Sequence, residues 1–316
     1  MVVSRTWTWI VTLVSVAAAV HLPVERQTND GVHLTITPVC GKLGGTFANA
    51  NAAVPTTGIK TLVAFGDSYT SGGRSDGGIL PAAVLNGTSP RAGGRAKGVA
   101  CNLSTTIKDY TVHSFFPYKA SIEITLFQVS AALFLSQKNV LDPAPALYTV
   151  FFGIKYATAI LFRLKILIHL VDPDENHLPQ AAAEHLAQIK QLAAAPTLAK
   201  NIVVLDDYGR GGHSATGDVW KQAVFAGLNP LRAQGLNVAF VDFAPLWEAV
   251  LGTTPGFAAF GYKTSGACIP NLSQTDLSGE CVTRLNSFYW LPGHPSKETH
   301  RIMADYVKLA LANCKA

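Results

Sequence analysis

The sequence predicts an α/β fold in which a parallel sheet is covered by helices on both faces. Three observations predict it. Short apolar runs at 62–65, 147–152, 202–205 and 238–241 alternate with helical segments at 179–195, 217–231 and 295–312; strands alternating with helices build parallel sheets. The chain has 316 residues, of which 48% are hydrophobic and only 14% charged, enough apolar material for a sizeable core. No internal repeat and no linker divides residues 60–316.

Each element has its own signature. The run at 62–65 is continuously apolar and stops at Gly66, as a short buried strand ending in a sharp turn does. The runs at 202–205 and 238–241 end at Asp206-Asp207-Tyr208-Gly209 and at Asp242. The segment 179–195 is rich in Ala, Leu and Gln, with Leu186, Ile189 and Leu192 on one helical face. The last helix starts near Pro295 or Ser296, after a Pro-Gly turn. Residues 74–98 are rich in Gly, Pro and Ala and read as a long loop bordering a substrate cleft.

The N-terminus reads as a secretory signal over residues 1–19. Arg5 supplies the positive region, 7–16 the apolar stretch and Ala17-Ala18-Ala19 the cleavage site. The apolar stretch is shorter than the roughly 20 residues a membrane span needs, so no stable span is expected. Residues 20–59 form an N-terminal extension, polar and weakly periodic, that lies over the domain or is partly disordered. The domain itself takes 60–316. Disulfides are the default in a secreted chain. Of the five cysteines, Cys268 and Cys281 bracket a polar loop and are the best pair; Cys40 or Cys101 is the partner for Cys314. Sequons at Asn86, Asn102 and Asn271 are candidate glycosylation sites. No Cys/His spacing fits a metal site, and no cofactor is implied. The net charge of +5 is scattered, without basic runs or an aromatic platform, which argues against nucleic acid as a partner. A monomer is the expected state.

Chemistry concentrates just past the first apolar run, in Val63-Ala64-Phe65-Gly66-Asp67-Ser68-Tyr69-Thr70-Ser71-Gly72-Gly73. A serine at the end of a strand sits where open α/β sheets place ligands, with backbone N–H groups available to an anion. The same spacing also fits a plain turn capped by Asp67 and Ser68. The Gly66-Asp67-Ser68-Tyr69 string resembles the first block of the GDSL, or SGNH, hydrolases. The wider string resembles the secreted fungal acetylesterases of carbohydrate esterase family 16. The resemblance implies a three-layer, flavodoxin-like α/β/α sandwich, Ser68 as nucleophile, and its own N–H as one oxyanion donor.

A serine needs a base to take its proton. Of nine histidines the best placed is His294, in Leu291-Pro292-Gly293-His294-Pro295-Ser296, on a loop between rigid elements. The residues alone also fit a surface-loop histidine; the His-Pro-Ser string resembles the last SGNH block and implies the base. His300, inside the last helix, reads as a packing or surface residue, and His213 as a loop histidine near the cleft.

The family pattern breaks in three places. Leu291 stands where the triad Asp is expected; Asp276 and Asp242 are substitutes without a motif behind them. Asp109-Tyr110-Thr111-Val112 approaches the second block, but His113-Ser114-Phe115 follows without the oxyanion Gly. Lys155 stands in place of the oxyanion Asn, after Gly153-Ile154. Two explanations stay open for the atypical stretches 113–127 and 155–175. One is a diverged site with Lys155 as a cationic donor; the other is a retained intron or gene-model error. The function expected is a secreted serine esterase acting on small acyl, foremost acetyl, esters of carbohydrates. The alternatives are a catalytically impaired carbohydrate-binding relative and a lipase acting on lipid esters.

Overall fold

The computed structural model describes residues 31–66, 69–70, 108–112, 131–132, 134–135, 141–152, 178–206, 210, 214–271, 278–282 and 286–316. Its centre is a six-stranded sheet. In chain order the strands are β1 (Ala50–Ala52), β2 (Thr61–Gly66), β3 (Lys108–Val112), β4 (Ala146–Phe151), β5 (Asn201–Asp206) and β6 (Asn237–Asp242). Their spatial order is β1-β6-β5-β4-β2-β3. Every pairing is parallel except β1 with β6, which is antiparallel.

Helices α1 (Leu178–Ala193) and α2 (Ala215–Ala233) cover one face of the sheet. Helices α3 (Ala244–Leu251) and α4 (Lys297–Asn313) cover the other. Strand residues alternate between the two cores, as a period of two requires. Val63, Phe65, Tyr148, Val150, Ile202, Val204, Val238 and Phe240 pack with Ile189 and Leu192 of α1 and Trp220 and Val224 of α2. Leu62, Ala64, Leu147, Val203, Leu205, Ala239 and Val241 pack with Leu246 and Trp247 of α3 and Ile302 and Val307 of α4. This is the three-layer α/β/α sandwich with a mostly parallel sheet, and it explains why the strands read as unbroken apolar runs.

The order β3-β2-β4-β5-β6 is the flavodoxin-like winding. Its connections leave β2 toward one edge and return to β4 on the other side. The crevice of such a sheet opens at the carboxyl ends of those two strands. Gly66 ends β2 beside Phe151 of β4. A Cβ on Gly66 would lie 2.1 Å from Thr70 Oγ1 and 2.8 Å from the Phe151 carbonyl oxygen. Only glycine lets the chain fold back on itself there.

A second sheet, β7 (Thr264–Ala267), β8 (Ser287–Leu291) and β9 (His294–Pro295), lies beside the first and was not anticipated from the sequence. The last helix begins at Lys297, capped by Ser296, whose hydroxyl accepts from the Thr299 N–H. Both disulfides expected for Cys268 and Cys314 are present: Cys268 pairs with Cys281, and Cys40, not Cys101, pairs with Cys314. Cys101 lies outside the described residues.

Residues 31–59 are continuous with the domain. Val32, Val54 and Ile59 are buried with the α3/α4 core, and Ala50 and Ala52 with the other. Arg301 of α4 donates to the Val32 carbonyl, and Asn51 Nδ2 donates to the carbonyls of Val54 and Leu311.

Candidate active site

Ser68 and Asp67 lie outside the described residues, as do Lys155, His213, Asp276, Asn86 and Asn102. The residues on either side of Ser68 are described. Gly66 closes β2, and Tyr69 is fixed in the core at 2% exposure. The Tyr69 ring stacks on Trp247 at 6.1 Å between centroids and meets Phe151 edge-on at 6.0 Å. Two aromatic neighbours on separate elements hold it.

His294 sits not on an open loop but on the two-residue strand β9, half-buried, paired with Leu291 of β8. Pro292 and Gly293 are the centre of the intervening turn, and Gly293 takes φ +69°. Pro followed by a left-handed Gly is the signature of a type II turn. The turn is buttressed from behind. Cys268 and Ile269 donate their N–H groups to the carbonyls of Tyr289 and Trp290, and the Cys268–Cys281 disulfide packs with Trp290 and Leu291. Leu291, at the position expected for the triad Asp, is therefore a core residue of this cluster.

Three chain segments meet at the carbonyl of Gly293. The Tyr69 hydroxyl donates to it at 2.5 Å, and Arg210 Nη1 donates at 2.9 Å. Tyr69 is bonded to Ser68, Gly293 to His294, and Arg210 follows β5. The Tyr69 and His294 rings are 6.0 Å apart. The hydrogen bond thus joins Tyr69, the residue after Ser68, to Gly293, the residue before His294, across more than two hundred residues of chain. His294 Nδ1 lies 3.1 Å from the Pro292 carbonyl. A carbonyl only accepts, so the proton of this contact sits on Nδ1, and Nε2 of the neutral ring keeps a lone pair.

His300 lies on α4, buried, with its ring 6.4 Å from that of Tyr69. It packs beneath the tyrosine, as its helix position suggested. Asp242 is 7% exposed; its Oδ1 accepts from Lys221 Nζ at 3.1 Å and from the Ala244 N–H at 3.0 Å. Lys221 also contacts Asp206 Oδ2 at 3.0 Å, tying the ends of β5 and β6. Burial alone would pull the Lys221 ammonium down, but the two carboxylates outweigh it and hold it above its ordinary range. The observed partners of Asp242 thus belong to a strand-end ion cluster. Asn271 is described and half-buried. No group of three or more metal-ligating side chains occurs among the described residues.

The model of the GDSL-like lipase/acylhydrolase family matches residues 62–307. The chain belongs to this family. The matched span runs from β2 through most of α4 and includes both Ser68 and His294. No curated protein matches the chain. Membership makes it an ester hydrolase in the broad sense. Tyr69 and Arg210 were not singled out from sequence. The only signal for Arg210 was an arginine set among the glycines of Tyr208-Gly209-Arg210-Gly211-Gly212.

Proposed function

We propose that this GDSL hydrolase is a secreted serine esterase that removes small acyl groups, foremost acetyl, from carbohydrates. The observation that carries the reading is the Tyr69–Gly293 hydrogen bond, which links the neighbours of Ser68 and His294. Ser68 Oγ attacks the ester carbonyl while His294 Nε2 takes its proton. The tetrahedral intermediate collapses, the C–O bond to the alcohol breaks, and His294 returns the proton to the leaving oxygen. Water then attacks the acyl-enzyme, with His294 again the base, and releases the acid and Ser68. The Pro292 carbonyl favours the Nδ1–H tautomer this cycle needs. The Ser68 N–H is one oxyanion donor, and Lys155, in place of Asn, is the candidate for a second.

Secretion is supported by the apolar leader, the two disulfides and the sequons at Asn86, Asn102 and Asn271. No helix among the described residues is long and apolar enough to cross a membrane. The polar, glycine-rich stretch 74–98 suits a wet carbohydrate cleft better than a lipid pocket.

Hydrolysis of p-nitrophenyl acetate, of its long-chain analogues and of acetylated xylo-oligosaccharides tests the reading, with Ser68→Ala as control. Turnover of the acetyl substrates that vanishes in Ser68→Ala is expected. A preference for long acyl chains selects the lipase. A second reading, an impaired carbohydrate-binding relative, is favoured by Lys155, Leu291 and the missing second-block Gly. Loss of one oxyanion donor costs about 10²–10³ in rate. Lys155→Asn should therefore raise kcat with little change in KM, since the donor acts mainly in the transition state. A fall in kcat would make Lys155 a working part of a diverged site.

A further inference from the structure

Arg210 has a backbone φ of +47°, in the left-handed region that glycine adopts freely and side-chain-bearing residues rarely do. Glycines stand on either side of it, yet the strained position carries the arginine. Its side chain is withdrawn from solvent, at 9% exposure. Nη1 donates to the Gly293 carbonyl. A Cβ on Gly293 would lie 2.1 Å from that nitrogen, so the guanidinium fills the space over the glycine next to His294. A strained backbone and a buried cation converge on one carbonyl, and the Tyr69 hydroxyl reaches the same oxygen.

We propose that Arg210 is a positioning residue for hydrolysis: with Tyr69, it clamps the turn that carries His294 onto the turn that carries Ser68. The proposal rests on the assignment of those two residues made above. Arginine suits the task because its fork is planar, permanently charged and preorganised, and a charged donor in a water-poor site makes a strong hydrogen bond. Lysine, a compact and strongly hydrated charge on a flexible stem, reproduces the charge without the fork. Arg210 acts through the Gly293 peptide rather than on the ester. Its loss should therefore misplace the base and depress turnover while leaving substrate binding largely intact.

The test uses the full chain and the variants Arg210→Met, Arg210→Lys, Tyr69→Phe, the Arg210→Met/Tyr69→Phe double and Ser68→Ala. Each is measured on p-nitrophenyl acetate, with active sites counted by a fluorophosphonate that labels an activated serine. Arg210→Met should lower kcat per labelled site by about 100-fold, with KM held within about twofold. Added guanidinium ion should restore part of that loss, and Arg210→Lys should recover less. The double variant should lose less than the product of the single losses, because both donors serve one carbonyl. An Arg210→Met kcat within about threefold of wild type overturns the proposal, as does a loss confined to KM or to the labelled fraction. Ser68→Ala hydrolysing at the wild-type rate overturns the nucleophile assignment and the proposal with it. A wild-type chain that neither turns over nor labels overturns both.

Discussion

The two histidines around Tyr69 differ in what carries them, and this decides what each can do. His294 stands on a short strand beyond a Pro-Gly turn, half-buried, whereas His300 is packed inside α4. His294→Ala should cost several orders of magnitude in kcat, as removal of an essential base does. His300→Ala should act mainly through stability; equal kinetic losses at constant folded fraction would reverse the assignment. A third histidine makes a prediction of a different kind. His185 of α1 packs edge-on with Phe152 and Trp220, and burial lowers its pKa to about 4. Its ordinary value is about 6.5, so between these limits the unfolded chain takes up a proton that the folded chain refuses. Stability should be full above about pH 6.5, fall by about 3 kcal/mol as pH drops to about 4, and then stop responding to this group. Urea midpoints across that range, compared with those of His185→Phe, isolate the effect; parallel curves would refute it. Only the helical position of His300 hinted at its packing; the strand under His294 and the burial of His185 were not legible in the sequence, because a histidine's burial is set by segments distant in the chain.

Elements differed in legibility for a physical reason. Strands β2, β4, β5 and β6 are buried on both faces, and such strands are continuous apolar runs that announce themselves. Helices α1 and α2 carry one apolar stripe each and were read to within a few residues. The strands β1, β7 and β9 have two to four residues each and no apolar run; β1 and β7 form by pairing with segments distant in the chain, and β9 by folding back on β8. Helix α3 has eight residues, is largely apolar and lacks a side-chain cap, so it too gave no signal. His294 was consequently expected on a loop, although a hairpin strand holds it. The ends of β5 and β6 are joined by the buried Lys221–Asp206–Asp242 cluster, with the ammonium 5.0 Å from the centre of the Phe47 ring. Lys221→Met would strand two buried carboxylates and should cost about 3–5 kcal/mol. Adding Asp206→Asn and Asp242→Asn should recover most of it, since the penalty lies in uncompensated charge rather than in the lost contact. Chemical denaturation of the wild type, the single variant and the triple variant checks both signs.

At the scale of the molecule, the segment 31–59, ahead of β2, is an integral part of the fold. It supplies an edge strand, contributes to both cores and is joined covalently to the last helix. Its weak periodicity concealed this, because the segment is organised by what it covers. The Cys40–Cys314 bridge closes a loop with a sequence separation of 274, and replacing both cysteines with serine should lower stability by about 2–5 kcal/mol. A melting curve unchanged by the replacement would contradict this. The same bridge governs the fate of the protein among proteases. A single cut anywhere between Cys40 and Cys314, whether in the Gly-rich stretch after Ser68 or in the 155–175 segment, leaves the serine and histidine halves in one molecule. Such a nicked chain would migrate as one species without reductant and as two with it.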